Sequence, residues 1–468
     1  MYQDAVTIGL MPTRRPVFKI ETAREEYDII IPIIKKQLPQ YVRFVDVEDI
    51  CDQGMGAFQD DIEKVVKKFK AAGVDALFSP FCDFGCEEVV AGVAKQFKLP
   101  TLIWGTRDKV STFAKREKET QCGLFAATKV LLNYGVTFSY IWNCEADSPD
   151  FVRGFEKFVR VAFILKSLRN ANIAEIGDRP KDFYSVIHNQ QMLIEKLNIT
   201  VKPITLGDIK TRTFEILKQE DEEFTAYCQD FKSRFDSTGT EDDYIRKVCA
   251  GTLAIEQLMK QHLCWAGAFD CNGVRMALEM NGSACTIQGE LSDRGFPTAC
   301  ETDVWGAVSQ LICTAASFGK DTEFLADWTY RHPENNNAEL IWHGGPFAWS
   351  LASKARKPAF RKNYKGFYEA WFEMKQGDIT LVRMDELHGE YYMFIGEAKT
   401  ASGPETTGTW VWIEVDNWKN WEEQLMFGPF IHHVAGIYGK YTEVIAEAAR
   451  YIGVHVVTPD TPHPNSLS

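Results

Sequence analysis

Short apolar runs alternate with amphipathic stretches along the first hundred residues of the chain. The apolar runs predict four strands, at Ala5–Leu10, Tyr41–Val47, Val74–Ser79 and Pro100–Trp104. The stretches between them repeat apolar residues with helical spacing and predict helices at Arg24–Leu38, Gln59–Ala72 and Glu87–Phe97. Strands and helices in this alternation are typical of a doubly wound parallel sheet. We assign residues 1–155 to this first α/β domain.

The same alternation returns over residues 156–345. It predicts strands at Ile173–Ile176, Ile199–Ile204 and Leu263–Ala268, and a strongly amphipathic helix at Tyr244–His262. We therefore predict a second doubly wound, Rossmann-like α/β domain. Neither unit carries a GxGxxG turn, so a nicotinamide-dependent oxidoreductase is a distant alternative.

The composition changes after residue 345. Short runs rich in β-branched and aromatic residues follow one another at Ile379–Met384, Glu390–Ala398 and Trp410–Val415. Gly, Ser, Pro and Asp separate them, which favours an antiparallel sheet or a small barrel. The predicted fold is thus α/β, with two consecutive doubly wound domains and a β-rich C-terminal domain over 346–468.

The charge balance narrows the possible partners. The chain has 52 basic and 65 acidic residues, a formal net charge of −13, which argues against nucleic acid or an anionic membrane surface. No apolar run is long enough to span a membrane, and Met1–Ala5 does not begin a signal peptide. Twelve cysteines without a CxxC pair are typical of free thiols in a cytoplasmic protein.

Three polar side chains stand in apolar or tightly turned surroundings between residues 296 and 347. Glu301 falls between a short predicted strand and a helix, Asp327 interrupts the apolar run Phe324–Trp328, and His343 precedes two glycines. A carboxylate in an apolar run is costly unless a cation or hydrogen bonds compensate it. Two carboxylates and a histidine at element ends favour a divalent metal site.

A pair of histidines, His432 and His433, follows in the Gly/Pro-punctuated loop that begins at Phe427. With this loop, the chain resembles the superfamily of L-fucose isomerase and L-arabinose isomerase, which are metal-dependent ketol isomerases. The segments that carry the resemblance are ACETD at 299–303, FLAD at 324–327, IWHGG at 341–345 and the loop at 428–437. Their order, the spacing of the two acids and the three-part organisation of the chain all match.

The resemblance implies a ligand set for a divalent cation. Glu301, Asp327 and His433 would bind Mn²⁺, with Mg²⁺ or Co²⁺ as alternatives, and His343 corresponds to a ligand of the arabinose branch. The reaction would be aldose–ketose isomerisation of a monosaccharide through an ene-diol(ate). Independently of the family, two carboxylates flanking the C1–C2 bond can serve as general base and acid, so Glu301 and Asp327 are the predicted catalytic residues.

Other residues are candidates for sugar contacts. Aromatic rings stack on sugar C–H faces, and cations at strand-end loops could bind an anionic group. The candidates are Arg14, Arg15, Phe81, Trp328, His343, Lys399, Trp410 and His432. The resemblance further implies a homo-oligomer, a trimer or hexamer, in which N-terminal loops of a neighbouring subunit close the site.

Two alternatives stay open at this point. The sugar could be anionic, as for superfamily members that convert sulfoquinovose to sulfofructose, and the cations Arg14, Arg15, Arg179 and Lys399 motivate this hypothesis. The chain could also be a non-catalytic sugar-binding protein built from two α/β lobes, although such a protein would not need buried metal-binding carboxylates.

Overall fold

The computed structural model describes residues 5–109 and 118–462. The amino-terminal residues from which we predicted the absence of a signal peptide lie almost entirely outside these ranges. The chain divides into two compact units, residues 1–166 and residues 167–468. No helix among the described residues is long and apolar enough to cross a membrane.

The first unit is built on a five-stranded parallel sheet with strand order β2-β1-β3-β4-β5. Its strands are β1 (Val6–Leu10), β2 (Val42–Val45), β3 (Ala76–Phe81), β4 (Thr101–Gly105) and β5 (Ser139–Tyr140). Its helices are α1 (Ile20–Lys35), α2 (Gln59–Ala72), α3 (Glu87–Lys95), α4 (Thr120–Asn133) and α5 (Pro149–Leu168), of which α5 runs across the division between the units. The predicted alternation of strand and helix is confirmed.

The second unit begins with a four-stranded parallel sheet of order β7-β6-β8-β9. Its strands are β6 (Asn172–Ile176), β7 (Thr200–Ile204), β8 (Ala266–Phe269) and β9 (Thr298–Cys300). The helices around it are α6 (Gln190–Met192), α7 (Leu206–Gln219), α8 (Glu222–Arg234), α9 (Asp242–Gln261), α10 (Cys271–Ala277), α11 (Cys285–Asp293) and α12 (Val304–Ala316).

The remaining strands form one continuous sheet that closes into a barrel. They are β10 (Glu323–Arg331), β11 (Ala338–His343), β12 (Ala359–Lys362), β13 (Tyr368–Glu373), β14 (Asp378–Leu387), β15 (Glu390–Ala401), β16 (Thr409–Glu414), β17 (His433–Tyr438) and β18 (His455–Val457). Six of them, in the order β16-β11-β10-β17-β14-β15, pair antiparallel, and the pairing of β15 with β16 closes the ring. Two helices, α13 (Trp418–Phe427) and α14 (Thr442–Ile452), accompany the barrel.

Strand pairing places the segment 323–343 in the barrel. We had assigned this segment to the second α/β domain, but β10 pairs with β17 and β11 pairs with β16, both of which come later in the chain. The sequence pattern of a strand does not show which other strand it pairs with. This explains why the predicted and observed domains of the segment differ. Asp327 and His343 therefore reach the site from the barrel, and Glu301 reaches it from the α/β sheet.

Helix α12 joins the two sheets of the second unit. All its residues are buried, and it contacts β8 and β9 on one side and β10, β14 and β17 on the other. The helix was predicted from its apolar period, and burial on all sides accounts for its almost complete lack of charge. The N-terminus of α12, which follows Glu301 in the chain, consequently lies against the barrel.

Candidate active site

Glu301 lies in the tight connection between β9 and α12. Its φ is +60°, and that of Thr302 is +57°, a left-handed conformation that non-glycine residues rarely adopt. Asp303 then caps α12, accepting a hydrogen bond from the backbone N–H of Gly306 at 3.0 Å. Two consecutive left-handed residues cost conformational energy, and such strain is concentrated at functional sites.

Asp327 and His433 come from neighbouring barrel strands. They are directly opposite each other in the antiparallel pairing of β10 with β17. Asp327 Oδ1 lies 3.6 Å from His433 Nε2, and Glu301 Oε2 lies 3.2 Å from the same nitrogen. His343, at the end of β11, places its Nε2 3.9 Å from Asp327 Oδ1. The structure therefore brings together all four predicted metal-site residues.

The atoms that converge here lack hydrogen-bond partners. Glu301 Oε2, Asp327 Oδ1, His343 Nε2 and His433 Nε2 are all buried and unpartnered. Buried polar atoms in folded proteins are nearly always satisfied, so four orphaned atoms facing one another indicate a missing partner. Two groups of three donors, Glu301 with His432 and His433 and Asp327 with His343 and His433, each lie within 4.8 Å of one another and share His433. Oxygen and nitrogen donors of this kind fit a divalent cation of the Mn²⁺ or Mg²⁺ type.

A buried ion network fixes the ring of His433. Its Nδ1 lies 2.8 Å from Asp303 Oδ2, and Arg383 pairs with Asp303 on one side and with Asp385, at 2.8 Å, on the other. Arg383, Asp303 and His433 are all fully buried. Because Asp303 accepts the proton on Nδ1, the lone pair of the neutral imidazole is on Nε2, which points at Glu301 and Asp327.

The electrostatics of this network also favour a cation at His433 Nε2. Burial acts to raise the pKa of Asp303, but Arg383 and His433 hold it well below its ordinary value. For His433, burial acts to lower the pKa, but the adjacent carboxylates of Asp303 and Glu301 raise it to about 10. The acids around His433 thus favour positive charge at Nε2, the position that a cation would occupy in place of the proton.

Asp303, Arg383 and Asp385 were missed in the sequence. Asp303 follows Glu301 closely and has the features of an ordinary helix N-cap. Arg383 does carry a signal, because it interrupts the apolar run of β14 in the same way that Asp327 interrupts that of β10. A charge within a buried strand needs a partner, and the argument applied to Asp327 could have been applied to Arg383 as well.

His343 has a different tautomer from His433. The backbone N–H of Gly344 donates to His343 Nδ1 at 2.8 Å, so the neutral ring carries its proton on Nε2. A protonated Nε2 donates a hydrogen bond instead of coordinating a metal. This hydrogen bond favours a donor role for His343 toward a substrate oxygen, in contrast to the ligand role that the arabinose branch implies.

His432 lies at the rim of the site. Its Nε2 is 3.9 Å from Glu301 Oε2, and its ring is 6.2 Å from that of Phe183. Burial and the neighbouring His433 lower the pKa of His432 below its ordinary value. Its predicted contact with substrate is compatible with this position. Phe183, on the loop after β6, was not predicted and shares the rim.

Trp328, Trp410 and Lys399 do not join the cluster. Trp328 is half-buried and packs its large apolar ring against Trp418 and Trp421 of α13, with ring centroids 5.6 and 6.0 Å away. Trp410 packs with Leu340 and Trp412 and lines a separate cavity of about 350 Å³. Lys399 is exposed on β15. In the structure, these three predicted sugar contacts therefore lie outside the cluster of the predicted metal-site residues.

The predicted contacts in the first unit also have protein partners. Arg14 is 4% exposed and donates to Asp52 at 2.8 Å. Arg15 lies over the ring of Phe84, 4.2 Å from its centroid. Phe81 is fully buried in the core of this unit, where an apolar ring is more stable than at a polar site, so it offers no surface to a sugar. Contacts of Arg14 and Arg15 with substrate stay predictions.

Two family models match the chain. A fucose/sulfoquinovose isomerase N-terminal domain matches residues 9–169, and an L-fucose isomerase C-terminal domain matches residues 361–459. The chain belongs to the fucose isomerase-like superfamily. It is an aldose–ketose isomerase by this membership. The predicted resemblance and the predicted reaction class are both confirmed.

Full-length relatives agree with the family models. Proteins named sulfoquinovose isomerase from Priestia aryabhattai and Priestia megaterium are each 22% identical over 460 residues, covering 96% of this chain and 98% of the relative. A third, from Alkalicoccus urumqiensis, is 23% identical over 394 residues, covering 82% of this chain and 86% of the relative. The similarity thus extends through both units.

Proposed function

We propose that this isomerase is metal-dependent, with Glu301, Asp327 and His433 as the ligands of one divalent cation. The observation that carries the proposal is the convergence of unpartnered carboxylate oxygens from both acids on His433 Nε2, with Glu301 Oε2 at 3.2 Å and Asp327 Oδ1 at 3.6 Å. Two acids that converge on one imidazole nitrogen repel each other, and a bound cation removes that cost. Mn²⁺ is the expected ion.

The two carboxylates supply the acid–base chemistry. Isomerisation moves a proton between adjacent carbons, C2 and C1, and a second proton between their oxygens. A divalent cation, when bound, polarises the carbonyl and stabilises negative charge on the sugar oxygens of the ene-diolate. Glu301 and Asp327 have unpartnered oxygens in the site, so either can accept the carbon-bound proton while the other holds or returns one.

The histidines and the buried network orient these groups. Asp303 and Arg383 hold His433 with Nε2 toward the acids, which fixes the site before substrate arrives. His343 Nε2–H is available to donate to a sugar oxygen, so its proposed role is orientation of substrate and stabilisation of developing charge.

We further propose that the substrate is an anionic aldose, with conversion of sulfoquinovose to sulfofructose as the specific reaction. Support comes from the relatives that carry the name sulfoquinovose isomerase along nearly the whole chain. The cations Arg14 and Arg15 at a strand-end loop are the candidates for the sulfonate. A non-catalytic sugar-binding protein is not retained, because family membership identifies an isomerase. A trimeric or hexameric assembly and a cytoplasmic location stay predictions.

A direct experiment separates the parts of this proposal. The full chain is treated with chelator, dialysed, and assayed by NMR for ketose formation from sulfoquinovose, glucose, L-fucose and L-arabinose, with and without Mn²⁺. We expect sulfofructose to form from sulfoquinovose only when Mn²⁺ is restored. Turnover of a neutral aldose but not of sulfoquinovose would refute the anionic substrate. Full activity in metal-free protein would refute the metal requirement.

A further inference from the structure

Three cysteine thiols meet beside the β9–α12 connection. Cys271 is the first residue of α10, Cys285 is the first residue of α11, and Cys300 is the last residue of β9. The three sulfur atoms all lie within 4.8 Å of one another, and Cys300 Sγ is 3.6 Å from Cys271 Sγ. Three separate elements thus contribute one thiol each to a common point, which we call the thiol cluster.

The spacing of the sulfurs fits metal coordination. A thiolate–zinc bond is about 2.3 Å, so three sulfurs around one ion in a plane stand about 4.0 Å apart. The separation of 3.6 Å between Cys300 Sγ and Cys271 Sγ and the upper limit of 4.8 Å for the other pairs are close to this value, so an ion would need only small side-chain adjustments. Cys285 and Cys300 are 5% and 1% exposed, and Cys271 is half-buried, which leaves one side open for entry.

The chemistry of the cluster differs from that of the isomerase site. Sulfur donors select soft cations such as Zn²⁺ and Cu⁺, whereas carboxylate oxygens select Mn²⁺ and Mg²⁺. The start of α11, an α-helix of nine residues, also places its positive dipole end at Cys285, which favours a thiolate there. Elsewhere, Cys228 and Cys249 form only a two-thiol contact, which provides a natural comparison.

We propose that the thiol cluster is a second metal site, which binds one thiophilic d¹⁰ cation through the three sulfurs of Cys271, Cys285 and Cys300. Each thiol that coordinates the ion releases its proton to solvent. Because Cys300 is followed directly by Glu301, an ion in the cluster also fixes the strand end from which the catalytic loop departs.

Cadmium is a suitable probe, because Cd²⁺–thiolate bonds give a charge-transfer absorption that oxygen and nitrogen ligands do not. The reduced, full-length chain is first saturated with Mn²⁺ and then titrated with Cd²⁺. We expect the band to saturate at one Cd²⁺ per chain. In Cys285→Ser the Cd²⁺ affinity should fall at least tenfold, and in the matched control Cys249→Ser it should be unchanged. The readout does not depend on isomerase activity, so it stands apart from the proposed function.

Folding of each variant is checked by circular dichroism. If Cys285→Ser does not fold, the half-buried Cys271→Ser takes its place, with the same expected loss. Absence of a thiolate band in the wild-type chain would overturn the proposal. Equal affinity in the Cys285 or Cys271 variant and in Cys249→Ser would overturn it as well.

Discussion

Two parallel sheets in this chain end in polar loops, yet the charged residues in the loops at the two sheet edges differ. At the edge of the first sheet, Asp83 accepts backbone hydrogen bonds from Arg15 and Gly85 at 2.9 and 2.8 Å, and Arg14 pairs with Asp52. Three buried atoms of charged groups there, Arg14 Nε, Asp83 Oδ2 and Asp108 Oδ1, have no hydrogen-bond partner, and they belong to groups of both charges.

At the edge of the second sheet, where Glu301 meets residues of the barrel, the unpartnered atoms belong to two acids and two imidazoles. The buried cation Arg383 is already paired with Asp303 and Asp385. Position at the carboxyl end of a strand is therefore common to both edges, while a cluster of unpartnered acid and imidazole atoms is found, among the described residues, at the second. This difference in charge composition, and not topology, motivates the proposal of a cation at the second edge.

The largest effect is expected at Glu301. In Glu301→Gln the carboxylate charge is lost while the shape is retained, so kcat should fall by roughly 10²–10⁴-fold. The matched control is Glu339→Gln on β11, a buried acid outside the site that should leave kcat within about twofold. Steady-state assays of both variants provide the measurement, and equal activity of Glu301→Gln and wild type would remove the catalytic assignment.

The next effect concerns Asp83 at the first edge. Burial raises its pKa to about 6, against opposing hydrogen bonds from Gly85 and Arg15. An acid whose pKa is higher in the folded state contributes stability below its ordinary pKa of 3.8, and that contribution is lost as pH rises through 6. Asp83→Asn keeps an acceptor oxygen and cannot ionise. It should remove up to roughly 3 kcal/mol of this pH dependence.

Urea unfolding of wild type and Asp83→Asn at pH 4 and pH 8 measures this difference. A free energy of unfolding that depends on pH identically in both proteins would contradict the role assigned to Asp83.

A smaller effect is expected at Asp303, which acts through His433. Asp303→Asn removes the acceptor charge that holds the imidazole, and loss of such a partner typically weakens metal binding by 10- to 100-fold. Asp385→Asn is the matched control, since Asp385 contacts Arg383 but not His433. Calorimetric titration with Mn²⁺ should show weaker binding in the first variant alone, and excess Mn²⁺ should restore part of its activity. Equal affinities in the two variants would contradict the positioning role.

The smallest effect is expected at Arg14. If this residue binds the anionic group of the sugar, Arg14→Gln should raise KM for sulfoquinovose roughly tenfold, equivalent to about 1.4 kcal/mol, without changing Mn²⁺ affinity. Arg24→Gln, an exposed arginine paired with Asp28, serves as the control. A fall in kcat with unchanged KM would instead indicate that Arg14 takes part in the reaction. The proposed difference between the edges of the two parallel sheets would then be wrong.

The sequence predicted most of the fold because its strands and helices are strongly patterned. The first strand was expected at Ala5–Leu10 and lies at Val6–Leu10. An antiparallel sheet or small barrel was predicted, but its full set of strands could not be, since β10 and β11 pair with partners far along the chain. Helix α13 was missed because only Trp418, Trp421 and Gln424 are buried in an otherwise polar stretch.

Prediction of the site relied on polar groups that break an apolar pattern. Glu301, Asp327 and His433 were assigned from such breaks and from family resemblance, and the structure brings them together. Trp328 and Trp410 lie apart from this cluster, since an aromatic residue in a strand fits a packed core as well as a sugar site. The tautomer of His343 could not be inferred, since it depends on a single backbone hydrogen bond from Gly344.

The central claim is that two carboxylates and one imidazole share a single cation. Electron paramagnetic resonance of the Mn²⁺-loaded chain, with ¹⁵N-labelled histidine, tests it most directly. The account predicts hyperfine coupling to one histidine nitrogen, abolished in His433→Gln and retained in His343→Gln. Coupling that survives in His433→Gln, or no histidine coupling in the wild-type chain, would contradict it.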